Sequence, residues 1–514
     1  MLMRAFLSAV QWHQHLGTNE THAGTSSPII WGWSIESLLV VRMERMRPLL
    51  LVICISLSTA HAADPAPVFK AGAATSNITP DLGSSINGGF QDRQAVFIHD
   101  ELNARCLALD DGKTKLVLVV ADSCVIGRGI FDEAKKMVNE ATGLPMENML
   151  MSVTHSHSCG TAQAVGQSEP NPMYQRFLAK RIADGVRCAL NNLAPAKIAW
   201  SSVDVPQHVF NRRWKMKPGG VPPTPHGVTT DQVKTNPGVN NPALLEPAGP
   251  TDPQVSFISV LSAEGKPIAL YANYSLHYVG GTGPNHISAD YFGAFANRIG
   301  ELLGADWQDP PFVGIMSNGT SGDINNIDCR GGQAKQPLYG QIKVVAEDVA
   351  QAVAGACKTL KYQDWVPLGS AQKEVMLGLR IPSQEEVGKA REITKLSKLF
   401  PRMETLEQVY ARETVLLADF PREVSAPLQV LKIGDLRVSA IPAEVFVEIG
   451  LGLKKRHAHT FTVSLANAYH GYLPTPEQHK LGGYETWRAR SACLEVDAST
   501  KIVAGLEELF SSLQ

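Results

Sequence analysis

Apolar and polar positions along the chain fall into a regular order from about residue 69. FKAGAATSNITP reads as a strand running into a turn, and LNARCLALDD alternates as a strand that closes on Asp110-Asp111-Gly112. TKLVLVVADS is a buried strand ending at Asp122, and GIFDEAKKMVNEATG has helical spacing with a terminal glycine. MENMLMSVTHSHS is a further apolar strand that runs out into two histidines, and NPMYQRFLAKRIADGVRCAL is an amphipathic helix. VSFISVLSAEGKPIALYANYSLH reads as a hairpin around Glu264-Gly265 whose second strand runs into His277. DYFGAFANRIGELLG is a helix, and PFVGIMSNGTSGD is a strand opening into a glycine-rich turn. From Ser383 to about Phe420 the pattern is helical: SQEEVGKAREITKLSKLF opens with a capping box of Ser383 and Glu386, and a second helix starts near Met403. The segment is expected to form a helical hairpin on the surface. APLQVLKIGDLRVSAIPAEVFVEIGLGLKKRH is again a hairpin followed by a helix, with Glu444 at the junction. The fold class expected is α/β: a mixed β-sheet core flanked by helices in a single large domain, with 383–420 as a helical insertion.

Two stretches break the order. Residues 215–255 are rich in Pro and Gly without periodicity, which reads as a lid, a binding loop or a disordered segment. Near the start, MERMRPLLLVICISLSTAHAADPAP has a basic beginning (Arg45, Arg47), an apolar run from Leu49 to Leu57, and Ala60-His61-Ala62. That is the layout of a secretory signal peptide cut after Ala62, and its apolar run is too short for an ordinary membrane anchor. Residues 1–42 read as an over-extended start, with Met43 or Met46 as initiator, so 1–62 is expected to be absent from the mature protein and 63–514 to be the working domain. A secreted or periplasmic location follows, without a transmembrane anchor after cleavage.

Composition adds little beyond this. The chain has 514 residues, 44% hydrophobic and 19% charged, with a formal net charge of −2, so no basic footprint points to nucleic acid. Of its 8 cysteines, Cys54 leaves with the signal and the others are scattered without a C-x-x-C pair, which argues against a thiolate zinc site. The odd remainder implies at least one free thiol or an intermolecular bond.

The candidate chemistry lies where apolar strands end in polar residues: His155 and His157, His277, the Gly322-Asp323-Ile324-Asn325 turn, and Glu444 followed by the tyrosine-rich NAYHGYLPTPEQHKLGGYETW. Catalytic zinc takes three or four N/O ligands, often histidines with one carboxylate, and keeps a position open for water. The two histidines of the H-x-H reach one site only if the backbone turns there, which Ser158, Cys159 and Gly160 permit. Each feature also has an ordinary structural reading: a loop histidine pair, a core histidine, or a carboxylate favouring a helix N-terminus.

SVTHSHSCG, ANYSLHYVGG with ISADYFG, NGTSGDINN, IPAEVF and NAYHGYLPTPEQ stand in the order of motifs in the neutral/alkaline (non-lysosomal) ceramidase family, and the chain resembles that family from about Gly72 to Trp487. AGAATSNITP, Asn87–Gly89 and FNRRW add looser matches. The resemblance implies a zinc ion held by His155, His277, Glu444 and Tyr472, with Tyr469 as the alternative tyrosine. It further implies His157 as an acid/base group, Arg212 as the active-site arginine, and Tyr484 near the substrate carbonyl. Asp323 matches the family's glycine-aspartate turn, where Asn325 replaces a serine and is left as a substrate hydrogen-bonder. His286 reads as a loop or supporting residue. HSCG departs from the family's usual serine-glycine-proline continuation, and a β-sandwich domain that follows in full-length members is not expected here. The implied activity is zinc-dependent hydrolysis of a linear amide in a small-molecule or lipid substrate, as in sphingolipid metabolism. Hydrolysis of an ester or other non-ceramide substrate, and a non-catalytic exported binding protein on the same fold, remain open.

Overall fold

In the computed structural model, residues 67–305 and 309–513 are described. The expected signal peptide and over-extended start lie outside them. No helix among the described residues is long and apolar enough to cross a membrane.

The core is built on an eight-stranded mixed sheet. Its strands are β1 (Lys70–Asn77), β2 (Asn103–Asp110), β3 (Lys115–Ala121), β4 (Met149–Val153), β5 (Ala194–Asp204), β6 (Gln254–Ser262), β7 (Pro267–Tyr274) and β8 (Val313–Asn318), in the order β8-β7-β6-β5-β1-β2-β3-β4. Only the two edge pairs, β3 with β4 and β7 with β8, are parallel. The halves join through a two-residue pairing of Lys70 and Ala71 with Pro195 and Ala194. Strand alternation then serves two cores at once. Along β2 and β3, Cys106, Ala108, Val117 and Val119 pack under helices α1 (Arg128–Thr142) and α2 (Pro172–Asn191), whereas Leu107, Leu109, Leu116 and Leu118 point to the opposite side. There they meet Ile258, Tyr271 and Ile315 of the other half, so the halves face each other across a shared core. The outer face of that second half carries α3 (Asp290–Leu302) and α4 (Gly340–Cys357).

A second, four-stranded sheet closes the shared core: β9 (Leu368–Gly378), β10 (Glu423–Ile433), β11 (Leu436–Ala440) and β12 (Thr460–Val463), in that order. Its far side is covered by α7 (Val447–Arg456) and α8 (Ala498–Ser512). The expected α/β class is observed, with two sheets where the sequence reading separated none. Two long elements carried no clear pattern. β5 is half exposed and begins Ala-Pro, and α4 is alanine- and valine-rich around much of its surface.

The helical hairpin is present as α5 (Gln384–Lys395) and α6 (Leu406–Leu417), between α4 and α7 in chain order. The capping box of Ser383 and Glu386 is made as expected, and Thr405 with Gln408 makes a second one that starts α6 slightly later than Met403. Residues 215–255 are more ordered than their composition suggests. Arg213–Met216 pairs on both sides, with Val233–Thr235 and Leu244–Pro247, as a three-stranded sheet. Backbone pairing over three or four residues at a time leaves too short a period to read.

Candidate metal centre and active site

Three strand ends and one junction converge. β4 stops at Val153, and the chain turns sharply at His155, whose φ of 68° is left-handed. Such a conformation is rare for a residue with a Cβ and marks a tightly determined position. The turn is made at His155 itself, ahead of the Ser158–Gly160 stretch expected to make it. It lets both imidazoles reach one site: Nε2 of His157 lies 3.2 Å from Nε2 of His155, with the rings edge to face. His277 follows β7 by three residues, and Glu444 follows β11 in a two-residue ladder, Glu444–Val445 beside Tyr472–Leu473. At the edges of the sheet, Asn318 at the end of β8 donates to the Thr154 carbonyl just past β4.

His155 Nε2, His277 Nε2 and Glu444 Oε2 form a compact triangle: Glu444 Oε2 is 3.2 Å from the first and 3.9 Å from the second. Ligands at about 2.0–2.2 Å from a tetrahedral zinc stand roughly 3.3 Å apart, so the triangle fits one ion. The hydrogen bonding fits as well. Nδ1 of His155 meets the Cys124 carbonyl at 2.7 Å, and Nδ1 of His277 meets that of Ser321 at 2.9 Å. A carbonyl only accepts, so each Nδ1 carries a proton and each Nε2 is the nitrogen turned to the site. Tyr469 donates to Glu444 Oε1 at 2.9 Å, whereas the buried Oε2 has no hydrogen-bond partner. A buried carboxylate oxygen without a hydrogen-bond partner beside two imidazole Nε2 atoms is a donor set that fits a cation. Cys124, His155 and His157 make a second, overlapping group, on whose side the His155 Nδ1 is already engaged by the Cys124 carbonyl.

Protonation follows the same lines. Burial, then the charges of Arg212 and His155, hold His277 well below the ordinary imidazole range. Burial, then the charges of His155 and Arg212, do the same for His157. Burial disfavours charge on His155 too, but the Glu444 carboxylate outweighs it and holds that imidazole well above its ordinary value. Burial likewise opposes charge on Glu444, and His155 overcomes it, so its carboxyl lies below the usual range.

Behind this triangle lies a buried charge network. Arg212 donates to Glu485 Oε1 at 3.1 Å, to the Gly322 carbonyl at 2.7 Å and to the Tyr472 hydroxyl at 3.1 Å, and its Nη1 is 3.4 Å from His277 Nε2. Arg213 and Thr235 both donate to Glu485 Oε2. Burial, followed by the Glu444 charge, pushes the Tyr472 phenol well up, with Arg212 pulling the other way. Asp323 braces the network from below: Oδ1 accepts from Val447 N–H at the start of α7, and Oδ2 accepts from Asn211. The turn before it is tight, since a Cβ on Gly322 would lie 2.6 Å from the Glu444 carbonyl oxygen.

In front of the triangle is an open pocket of about 80 Å³. Its lining includes His155, His157, Glu444, Tyr469, Tyr472 and Tyr484. Phe90 and Val125 line the pocket on one side, and Val409, Tyr410 and Glu413 of α6 on another. Glu413 is held there by Arg490, at 2.7 Å and 2.9 Å. His157 is clamped between Tyr278, stacked at 3.8 Å, and Gly88, where any Cβ would come within 2.4 Å of its ring.

His155, His157, His277, Glu444, Arg212, Tyr472 and Tyr484 are therefore brought together. Asp323 sits beneath them, with its carboxylate bound to Val447 and Asn211. Asn325 is turned elsewhere, donating to Asn236 and accepting from Ile327 N–H. His286, expected on a loop or as a supporting residue, begins a two-residue strand, His286–Ile287, paired with Phe97–Ile98, and its ring bonds the Tyr339 hydroxyl. Glu485, Tyr278 and Cys124 were not foreseen. Glu485 adjoins Tyr484 in the sequence, and a carboxylate beside a candidate site tyrosine was the available signal. All seven cysteines among the described residues are free, in keeping with the scattered spacing.

No family model and no curated protein matches the chain. Among solved structures, it is similar to neutral ceramidase from Pseudomonas aeruginosa, with 17% identity and a TM-score of 0.65 over 87% of this chain and 74% of that one. It is likewise similar to a ceramidase complexed with C2, with 15% identity and a TM-score of 0.67 over 87% of this chain and 75% of that one. From the shared-core sheets to the helices outside them, the chain has a neutral ceramidase-like fold.

Proposed function

We propose that the chain is an exported zinc-dependent hydrolase that cleaves a linear N-acyl amide of the lipid type. The observation that carries this reading is the meeting of the His155 and His277 Nε2 atoms with an orphaned Glu444 carboxylate oxygen, next to a pocket that His155 and Glu444 line. The likeness in fold to neutral ceramidases supports the choice of an amide. His155, His277 and Glu444 would hold the metal, with Tyr472 as fourth ligand. The Arg212 guanidinium beside the Tyr472 hydroxyl favours the phenolate that ligation requires. Tyr469 instead orients Glu444 through its other oxygen.

Bound zinc supplies Lewis acidity and an activated water near neutral pH. His157, kept neutral by burial and by the neighbouring cations, accepts a proton at Nε2 and returns it to the departing amine. The Tyr484 hydroxyl donates to the carbonyl oxygen as negative charge develops there. Arg212, fully engaged with Glu485 and Gly322, keeps Tyr472 and His277 in register.

Elemental analysis of the purified chain, followed by a panel of matched N-acyl amides and esters, tests the reading. It expects about one zinc per chain and faster turnover of the amides. Ester-only turnover would overturn the amide assignment. Absence of zinc after reconstitution would leave a binding protein on this fold.

A further inference from the structure

The last residue of α5 and the connection to α6, Lys395 to Arg402 (KLSKLFPR), have three cations and no acid, although the formal net charge of the chain is −2; Lys395 also pairs with Glu392 on α5 at 2.7 Å. Its apolar side chains face outward: Leu396 is 73%, Leu399 60% and Phe400 66% exposed. Along the two helices the apolar residues turn inward instead, with Val387, Ala390, Val409 and Leu417 buried. The outward residues are held by an anchored backbone. Ser397 Oγ donates to the Arg402 carbonyl, Arg402 N–H to that of Leu399, and Lys398 N–H to Glu404. Met403, just beyond, is buried and pinned by Gln91 and Gln167.

This tip shares a rim with the pocket. Phe90 lines the pocket and packs against Tyr410 and Tyr484, at ring separations of 6.1 Å and 5.9 Å. The next two residues reach the tip: Gln91 bonds the Met403 carbonyl, and Asp92 lies 3.5 Å from Arg402. Beyond Met403, α6 continues into the pocket wall through Val409, Tyr410 and Glu413.

We propose that residues 395–402 dock the protein on an anionic lipid surface. Leu396, Leu399 and Phe400 enter the boundary between headgroups and acyl chains, while Lys395, Lys398 and Arg402 meet the phosphates. Apolar side chains among cations match a surface that is greasy beneath and negative above. A protein partner fits less well: three side chains of at most about 200 Å² each fall short of the roughly 800 Å² that one side of a specific interface contributes. That docking hands a lipid from the surface to the pocket mouth rests on the amide-hydrolase reading above, whereas the docking itself does not.

The test is co-sedimentation of the full chain with phosphatidylcholine vesicles, with and without phosphatidylglycerol, neither of which is an N-acyl amide. The wild type should partition to the anionic vesicles at least about tenfold more strongly than to the neutral ones. Leu396→Ser/Leu399→Ser/Phe400→Ser should lose at least about tenfold in partition, and Lys395→Glu/Lys398→Glu should lose the anionic preference. An unchanged melting temperature shows that these variants fold. Should the triple variant not fold, Phe400→Trp gives a second reading: its emission should shift to the blue only with anionic vesicles. Equal partition of wild type and triple variant, no partition at all, or an unshifted Phe400→Trp emission would overturn the proposal. Self-association of the wild type that is lost in the triple variant, without vesicle binding, would assign the tip to a second copy and overturn it as well. Turnover of a water-soluble short N-acyl amide by wild type and triple variant alike reports on the catalytic reading separately.

Discussion

His155 shows how much is asked of one residue. Its left-handed backbone costs about 1–2 kcal/mol, and in return one imidazole is placed over Glu444 with its proton committed to the Cys124 carbonyl. The division of labour around it can be separated by substitution. His155→Ala and Glu444→Ala should each strip zinc from the chain, whereas His157→Ala should keep zinc and lose at least about a hundredfold in turnover, as expected for a lost acid/base group. Elemental analysis beside a rate assay reads both, and equal zinc loss in all three would end the distinction. Tyr469→Phe leaves every ligand in place but frees Glu444 Oε1, so metal affinity should fall about 10–100-fold in a competition titration with a chelating dye. His155, His277 and Glu444 stood out in the sequence as polar residues after apolar strands, but only the resemblance to ceramidase motifs chose them as one set over the ordinary structural readings of each. Which tyrosine does which task was not legible: Glu444 pairs with Tyr472 through the backbone and with Tyr469 through a hydroxyl, and no spacing rule distinguishes the two. Nor could spacing show that Asn325 turns its amide to Asn236.

Elements reach the site through buried polar ties as well as through their ends. Lys135 on α1 donates to Asn467 Oδ1 at 2.8 Å, and the same oxygen accepts from Met151 N–H on β4. The side-chain amide of Asn467 in turn reaches Gln429 on β10. One asparagine thus binds the strand that delivers His155, the segment that delivers Tyr469 and a strand of the second sheet. Burial brings the Lys135 amine down to about 8. Because the folded value lies below the unfolded one, the charged form opposes folding below about pH 8, and stability is regained as pH rises towards 10.5. Relative to Lys135→Met, the wild type should therefore gain up to about 3 kcal/mol between these limits in urea melts. A flat difference would mean that the amine is solvated in the folded state. The hairpin of α5 and α6 was legible from its first capping box, yet its part as a pocket wall was not. Val409, Tyr410 and Glu413 have ordinary helical spacing, and only packing turns them towards Tyr484 and Arg490.

Across the whole molecule, the α/β alternation was read correctly, while the number of sheets was not, because alternation tells which face a residue takes and not which strand lies opposite. The three-stranded sheet within 215–255 escaped for a related reason: its strands are short and separated by Pro and Gly. Assembly of the site depends on this long-range order. Chelation should accordingly lower the melting temperature of the zinc-loaded protein and added zinc should restore it, since a ligand that binds only the folded state stabilises it by mass action. His277→Ala should melt at one temperature regardless of chelator.

The meeting of the two sheet halves at their far edges has one more consequence. His155 comes from one half, His277 from the other, and Glu444 from the connection between β11 and β12 of the second sheet. A single ion held by all three would be a reversible three-way cross-link that closes loops of more than a hundred residues, the kind of closure for which chain entropy returns the most. Protease cuts in these three distant segments should then be slowed together when zinc is added. Metal occupancy would report the integrity of the entire architecture, and no excised fragment missing His155, His277, Glu444 or Tyr472 would carry the whole site away with it.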